Sequence, residues 1–262
     1  MIDILRAKNV FNDFINNYEN KEHINFKLKV IHTYHVAENA KIIAQKLNLK
    51  QEDIELAELI GILHDIGRFE ELKLTGEYNS LKFDHAEYAV KILFDGNLIR
   101  KFIDDSRYDN IIRTAIQNHN KLRIQEGLDK KALLHSKIIR DADKLDVYRV
   151  KKEADVKALL PLRVTKLEDL EYSLISDKVY ETILQEKCVI NSDRVTPLDF
   201  SVNIIAFTFD LNFKVTFQML KEKNYINDLI DRFEYKNEKT NTRMKKIKNV
   251  VNDFIDKKIK EV

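Results

Sequence analysis

The sequence predicts an all-α fold, and two observations carry that reading. Five glycines and two prolines interrupt 262 residues, too few turn-formers for a chain of short strands. Apolar side chains recur at three- and four-residue offsets along most of the chain, which is the period of helices buried on one face.

Taken in order, Ile4, Leu5, Val10, Phe11, Phe14 and Ile15 place a first helix in residues 2–18. A second is predicted over 26–47, through Leu28, Ile31, Val36, Ala40, Ile43, Ala44 and Leu47, and it carries His32 and His35. Gln51 to Asp65 reads as a third, with Ile54, Ala57, Ile60, Gly61 and Leu63, and Gly67 follows where a helix usually stops. Ile66 to Phe83 reads as a long loop containing Gly67, Gly76, Asn79 and Ser80. Asp84 is the expected N-cap of a helix running to Phe94, with His85 in its first turn. Residues 108–120 are helical through Ile111, Ile112, Ala115 and Ile116, ending near His119. Residues 130–148 follow, through Leu133, Leu134, Ile138, Ile139, Ala142 and Leu145, and carry Asp141, Asp143 and Asp146.

Beyond residue 150 the pattern changes. Residues 150–197 hold short helical pieces, Pro161 and Pro197, and no histidine. The chain therefore reads as a helical core over 1–150 and a helical C-terminal elaboration packing on it over 151–262. Phe207, Phe209, Leu211, Phe213, Val215 and Phe217 alternate with polar residues, a strand signal. The same run holds Val202, Ile205, Phe209 and Phe217 at helical offsets, and an isolated strand would have no partner, so a buried helix is the reading over 198–221. Residues 224–235 and 242–260 are amphipathic, the latter with a stripe of Met244, Ile247, Val250, Val251, Phe254 and Ile255. The lysines around that stripe are a solvated face.

Composition narrows the function. Forty-five basic against 43 acidic residues leave a net charge of +2, which argues against bulk nucleic-acid binding. No apolar run approaches a membrane span, and the first residues have no signal-peptide pattern. A single cysteine, Cys188, excludes an intrachain disulfide framework and fits a reducing, cytoplasmic setting. No Gly-rich phosphate loop, dinucleotide motif or serine nucleophile elbow is present.

All seven histidines, His23, His32, His35, His64, His85, His119 and His135, lie in the first 150 residues. A helical bundle can turn such side chains inward to form a metal site, and imidazole with carboxylate suits a divalent ion such as Mn, Fe, Co, Ni or Zn. A histidine taken alone is more often a surface or core residue than a ligand; order and context decide. Three stretches supply the context: His32-Thr33-Tyr34-His35-Val36-Ala37, Ile60-Gly61-Ile62-Leu63-His64-Asp65-Ile66-Gly67-Arg68-Phe69, and Ile139-Arg140-Asp141-Ala142-Asp143-Lys144-Leu145-Asp146.

In that order these stretches resemble the HD superfamily of metal-dependent phosphohydrolases, named for its histidine–aspartate doublet. The resemblance spans about residues 25–150. It implies an HD-domain helical bundle that binds a divalent metal (Mn, Fe, Co, Ni, Mg or Zn), one or two ions per chain, through His32, His64, Asp65 and Asp143. His35, one turn from His32, falls where the family often has another polar residue, and Asp141 and Asp146 flank the ligand as orienting groups. His85 and His119 resemble the extra histidines of two-metal members, with Asp65 as the bridge. The sequence after His119, Asn120-Lys121-Leu122, departs from the Gly-Tyr-Pro signature of the cyclic-dinucleotide branch. The implied activity is hydrolysis of a small phosphorylated substrate, a phosphomonoester or phosphodiester and foremost a nucleotide, with Asp65, Arg68 and Lys144 as the catalytic set. The same scaffold carries di-iron oxygenases in some relatives, and a non-catalytic nucleotide or metal sensor is the other alternative. Residues 150–262 are read as covering the pocket or forming a homo-oligomer contact.

Overall fold

Local chemistry sets where the helices begin. Asp3 accepts from the Arg6 backbone N–H and starts α1 (Ile4–Asn16), and His23 accepts from Asn25 N–H to start α2 (Ile24–Lys46). These caps satisfy amide donors that have no partner within a helix. The computed structural model describes residues 1–76, 83–153 and 166–261; Asn79, Ser80 and Pro161 lie outside the described residues. There α3 (Gln51–Leu63), α4 (Ile66–Thr75), α5 (His85–Phe94), α6 (Ile99–Phe102), α7 (Asp109–His119) and α8 (Lys130–Glu153) follow. Asp84 caps α5 as expected, accepting from Ala86 and Glu87 N–H. No strand occurs among the described residues, so the all-α class holds.

The stretch after the doublet differs from the loop expected there. Ile66, Phe69 and Leu72 are buried on one face, so residues 66–75 form α4. Phe69 packs edge-on to Phe11 and lies 4.8 Å from Phe26 between ring centroids. That contact draws α4 onto α1 and α2, and burying one such phenyl ring is worth about 2–3 kcal/mol. Gly67 is therefore not a helix stop. The stop is Gly76, at φ 74°, a left-handed C-cap that glycine adopts without strain.

The described chain divides into two units, residues 1–146 and 147–262, with the division inside α8. The second unit contains α9 (Leu167–Glu171), α10 (Asp177–Leu184), α11 (Pro197–Ala206), α12 (Lys214–Glu222), α13 (Tyr225–Ile230) and α14 (Glu238–Lys260). Thr196 and Asp199 form a reciprocal capping box at α11, with Pro197 in the first turn. The ambiguous 198–221 run is helical but not continuous. It ends α11 at Ala206, passes through a 3-10 turn over Phe207–Asp210, and resumes at Lys214. Phe209 and Phe217 both pack on Phe254 of α14, so the alternating aromatics serve a broken helix. No described helix is long and apolar enough to cross a membrane.

Candidate metal centre

Two glycines allow the helices to meet where the site forms. A Cβ at Gly61 would lie 2.5 Å from Ala37 Cα, so α3 crosses α2 with the two backbones in contact. This brings the His32 and His64 rings to 5.6 Å between centroids. A Cβ at Gly67 would lie 2.2 Å from the His85 carbonyl oxygen. The first turn of α4 thus rests on the first turn of α5, placing Asp65, at the corner between α3 and α4, beside His85.

Six side chains converge. His32, His64 and Asp143 offer one ligand atom each, all within 4.8 Å of one another, and so do Asp65, His85 and His119. Asp65 faces both groups. Its Oδ2 lies 3.6 Å from His32 Nε2 and 3.4 Å from His64 Nε2. Its Oδ1 lies 3.5 Å from each of His85 Nε2 and His119 Nε2. Five of the six residues are buried; Asp143, with 24% of its side chain exposed, marks the solvent side.

The histidines are oriented from behind. Nδ1 of His64 faces the Gly61 carbonyl at 2.8 Å, and Nδ1 of His119 faces the Ile116 carbonyl at 2.6 Å. A carbonyl only accepts, so each Nδ1 carries the proton and each Nε2 turns a lone pair toward the centre. His32 Nδ1 lies 2.6 Å from Asp146 Oδ2, a carboxylate–histidine pair of the kind that orients metal ligands. His32 Nε2 and His64 Nε2 are buried without a hydrogen-bond partner, and His85 Nε2 and His119 Nε2 face each other at 3.1 Å. Four imidazole nitrogens turned toward one another beside two carboxylates are a donor set that fits divalent cations once the rings are neutral.

Charge is balanced internally. Burial and the Lys29 ammonium oppose a charge on His32, yet hydrogen bonds to Asp143, Asp146 and Asp65 outweigh them and raise its pKa to about 10. Burial likewise opposes ionisation of Asp65, but the Lys29 ammonium, with the His64, His119 and His32 rings around it, holds it well below the usual carboxylate range. Asp143 is also depressed: His32 and His64 overcome burial and the neighbouring Asp65. Burial lowers His85 to about 2, against the pull of Asp65 and with help from His119.

The remaining candidates are placed as follows. Arg68 lies against Asp65, with Nε 3.8 Å from Oδ1, and donates to buried Glu71 at 2.6 Å. Lys144 follows Asp143 on α8, its ammonium 3.5 Å from the Arg140 carbonyl. His35 is exposed and Asp141 is buried. Three residues escaped the reading of the sequence. Lys29 donates to Asp65 Oδ2 at 2.5 Å; its signal was the three-residue spacing to His32, which puts both on one helix face. Glu71 anchors Arg68, again from three residues away. Arg140 donates to the carbonyls of Asn118, His119, Lys121 and Leu122, holding the end of α7, a long-range contact with no local signal.

Bundle and centre together are a helical scaffold whose histidines and carboxylates could hold a divalent metal ion. Residues 30–148, a little under half of the chain, match the family model of the HD domain, so this stretch is an HD domain, a domain of a metal-dependent hydrolase family. Searches of curated proteins and of solved structures gave no significant match.

Proposed function

We propose that the protein is a metal-dependent phosphohydrolase acting on a phosphomonoester or phosphodiester, with nucleotides the foremost class. The observation that carries this reading is the convergence of the ligand atoms of His32, His64 and Asp143 and of Asp65, His85 and His119, each set within 4.8 Å of one another, in a buried centre. His32, His64 and Asp143 would hold one ion, His85 and His119 a second, and Asp65 would serve both. Such ions supply Lewis acidity to a phosphoryl oxygen and lower the pKa of a water.

The chain's own groups do the rest. Asp65, ionised and central, keeps the two histidine groups in register. Asp146 fixes the His32 ring, and the Gly61 and Ile116 carbonyls fix those of His64 and His119. Arg68, anchored by Glu71, and Lys144 are the cations assigned to a phosphate, Arg68 by its planar fork of donors.

The test is a panel of nucleotides and generic phosphate esters with added Mn, Co or Ni. Turnover is expected in the wild type, and loss of turnover in folded His64→Ala and Asp65→Ala. Full activity in either variant overturns the proposal. Oxygen consumption by an iron-loaded protein inert on the panel would replace it with an oxygenase, and tight binding without turnover would replace it with a sensor.

A further inference from the structure

We infer that Lys29 is a built-in competitor for the metal at Asp65, setting the ion concentration at which the centre loads; the inference rests on the proposed reading that ions bind here. Asp65 meets a cation on each oxygen, but the two cations are held differently. On the Oδ1 side, Arg68 is fixed by its 2.6 Å bond to Glu71, whose side chain is fully buried. On the Oδ2 side, Lys29 reaches in from α2 on a flexible four-carbon stem, 18% exposed, and places its ammonium 2.5 Å from the oxygen. That same oxygen is the one turned toward His32 and His64, at 3.6 and 3.4 Å.

An ion seated by His32, His64 and Asp143 would therefore share Oδ2 with an ammonium already bonded to it. Two positive charges at such spacing repel strongly in a site shielded from water, and a charge-assisted hydrogen bond must be given up for the ion to use the oxygen. The Lys29 ammonium sits on a flexible four-carbon stem, on which it can swing away from the oxygen. Arg68 is not placed to do so. Lys29 acts through Asp65, as a positioning residue whose grip the metal must break.

The opposite role makes the opposite forecast. Were Lys29 simply a structural clamp on Asp65, its removal would loosen the carboxylate and weaken the metal. Competition makes removal tighten it.

The experiment is calorimetric titration of the full-length protein with Mn2+ alone. Lys29→Met is expected to lower Kd by about tenfold or more, the size of one charge-assisted hydrogen bond. Lys29→Arg, which keeps the charge, is expected to stay near wild type. An unchanged or higher Kd in Lys29→Met, with helical content and melting temperature preserved, overturns the inference. Should Lys29→Met fail to fold, Lys29→Gln, which retains a hydrogen bond without the charge, is read by the same criterion. His64→Ala separates the two claims. If the wild type binds no Mn2+, or His64→Ala binds as well as wild type, the metal centre itself falls and Lys29 with it. If His64→Ala loses binding while Lys29→Met leaves Kd unmoved, only the Lys29 inference falls.

Discussion

Asp146 Oδ2 and His32 Nδ1 lie 2.6 Å apart although 114 positions separate them in sequence. The bond ties α8 to α2 behind the centre and leaves His32 Nε2 as the free end of the ring. Asp146→Ala removes both the orientation and the negative charge behind the ring. Affinity for Mn2+ is expected to fall about 10–100-fold, with less loss in Asp146→Asn, which keeps a hydrogen-bonding group. Metal titration checks this, and its sign is opposite to that expected for Lys29→Met.

The glycines at the helix crossings give a second prediction. A Cβ at position 67 meets backbone at 2.2 Å, and one at position 61 meets backbone at 2.5 Å; neither neighbour can rotate away. Gly67→Ala and Gly61→Ala are each expected to destabilise by about 1–3 kcal/mol, the range for overpacking. Gly67→Ala should also push α5 off α4 and displace His85. Gly127 is the control: an added Cβ there meets open space, so its alanine variant carries only the strain of φ 78°, about 1 kcal/mol. Denaturant midpoints with metal content measured alongside distinguish packing loss from site loss.

What could be read in advance follows physical range. The helices carrying His32, His64, His85, His119 and Asp143 were legible because apolar period and capping are local signals. The order of those residues was enough to suggest a common centre. The α4 helix was missed because Gly67 and Gly76 resemble stops, whereas only Gly76 is one. Gly67 is glycine because of what α5 brings against it from 18 positions later. The break at Phe207–Asp210 was missed for a similar reason. Phe254 recruits both Phe209 and Phe217 from far along the chain, and no window around residue 210 contains that fact.

Metal stoichiometry gives a third prediction. Among the described residues two such triads are found, and Asp65 turns one oxygen to each. His85→Ala and His119→Ala each remove a donor from the second triad while leaving His32, His64 and Asp143 intact. The wild type is expected to bind up to two Mn2+ per chain and each of these variants one, by elemental analysis after equilibrium dialysis. One ion in the wild type, unchanged in both variants, would reassign His85 and His119 to the pocket wall.

A last prediction concerns acid stability and a histidine away from the centre. His135 on α8 is 1% exposed, with Nε2 3.2 Å from Asp53 Oδ1 on α3 and Nδ1 buried without a partner. Lys131, one turn earlier, reaches the same Asp53 oxygen at 3.0 Å and Glu52 at 3.2 Å. Burial lowers the His135 pKa; Asp53 opposes the shift and Lys131 adds to it. The folded protein therefore takes up this proton less readily than the unfolded chain, whose histidine titrates near about 6.5. The stability His135 contributes is intact above that value and declines as pH falls below it, because the unfolded state then binds more protons. Asp53 is lowered too: burial opposes its charge, but Lys131 and His135 outweigh it. Its contribution persists until the pH drops below the ordinary carboxylate range near about 3.9, so between those limits the histidine governs the difference. His135→Gln cannot take up the proton. Its urea midpoint, compared with wild type from pH 8 to pH 5, is expected to fall less steeply on acidification, the gap reaching at most about 1.4 kcal/mol per pH unit. The two proteins share every other titrating group, including His32 with its opposite shift, so parallel pH profiles would show that burial does not set the protonation of His135.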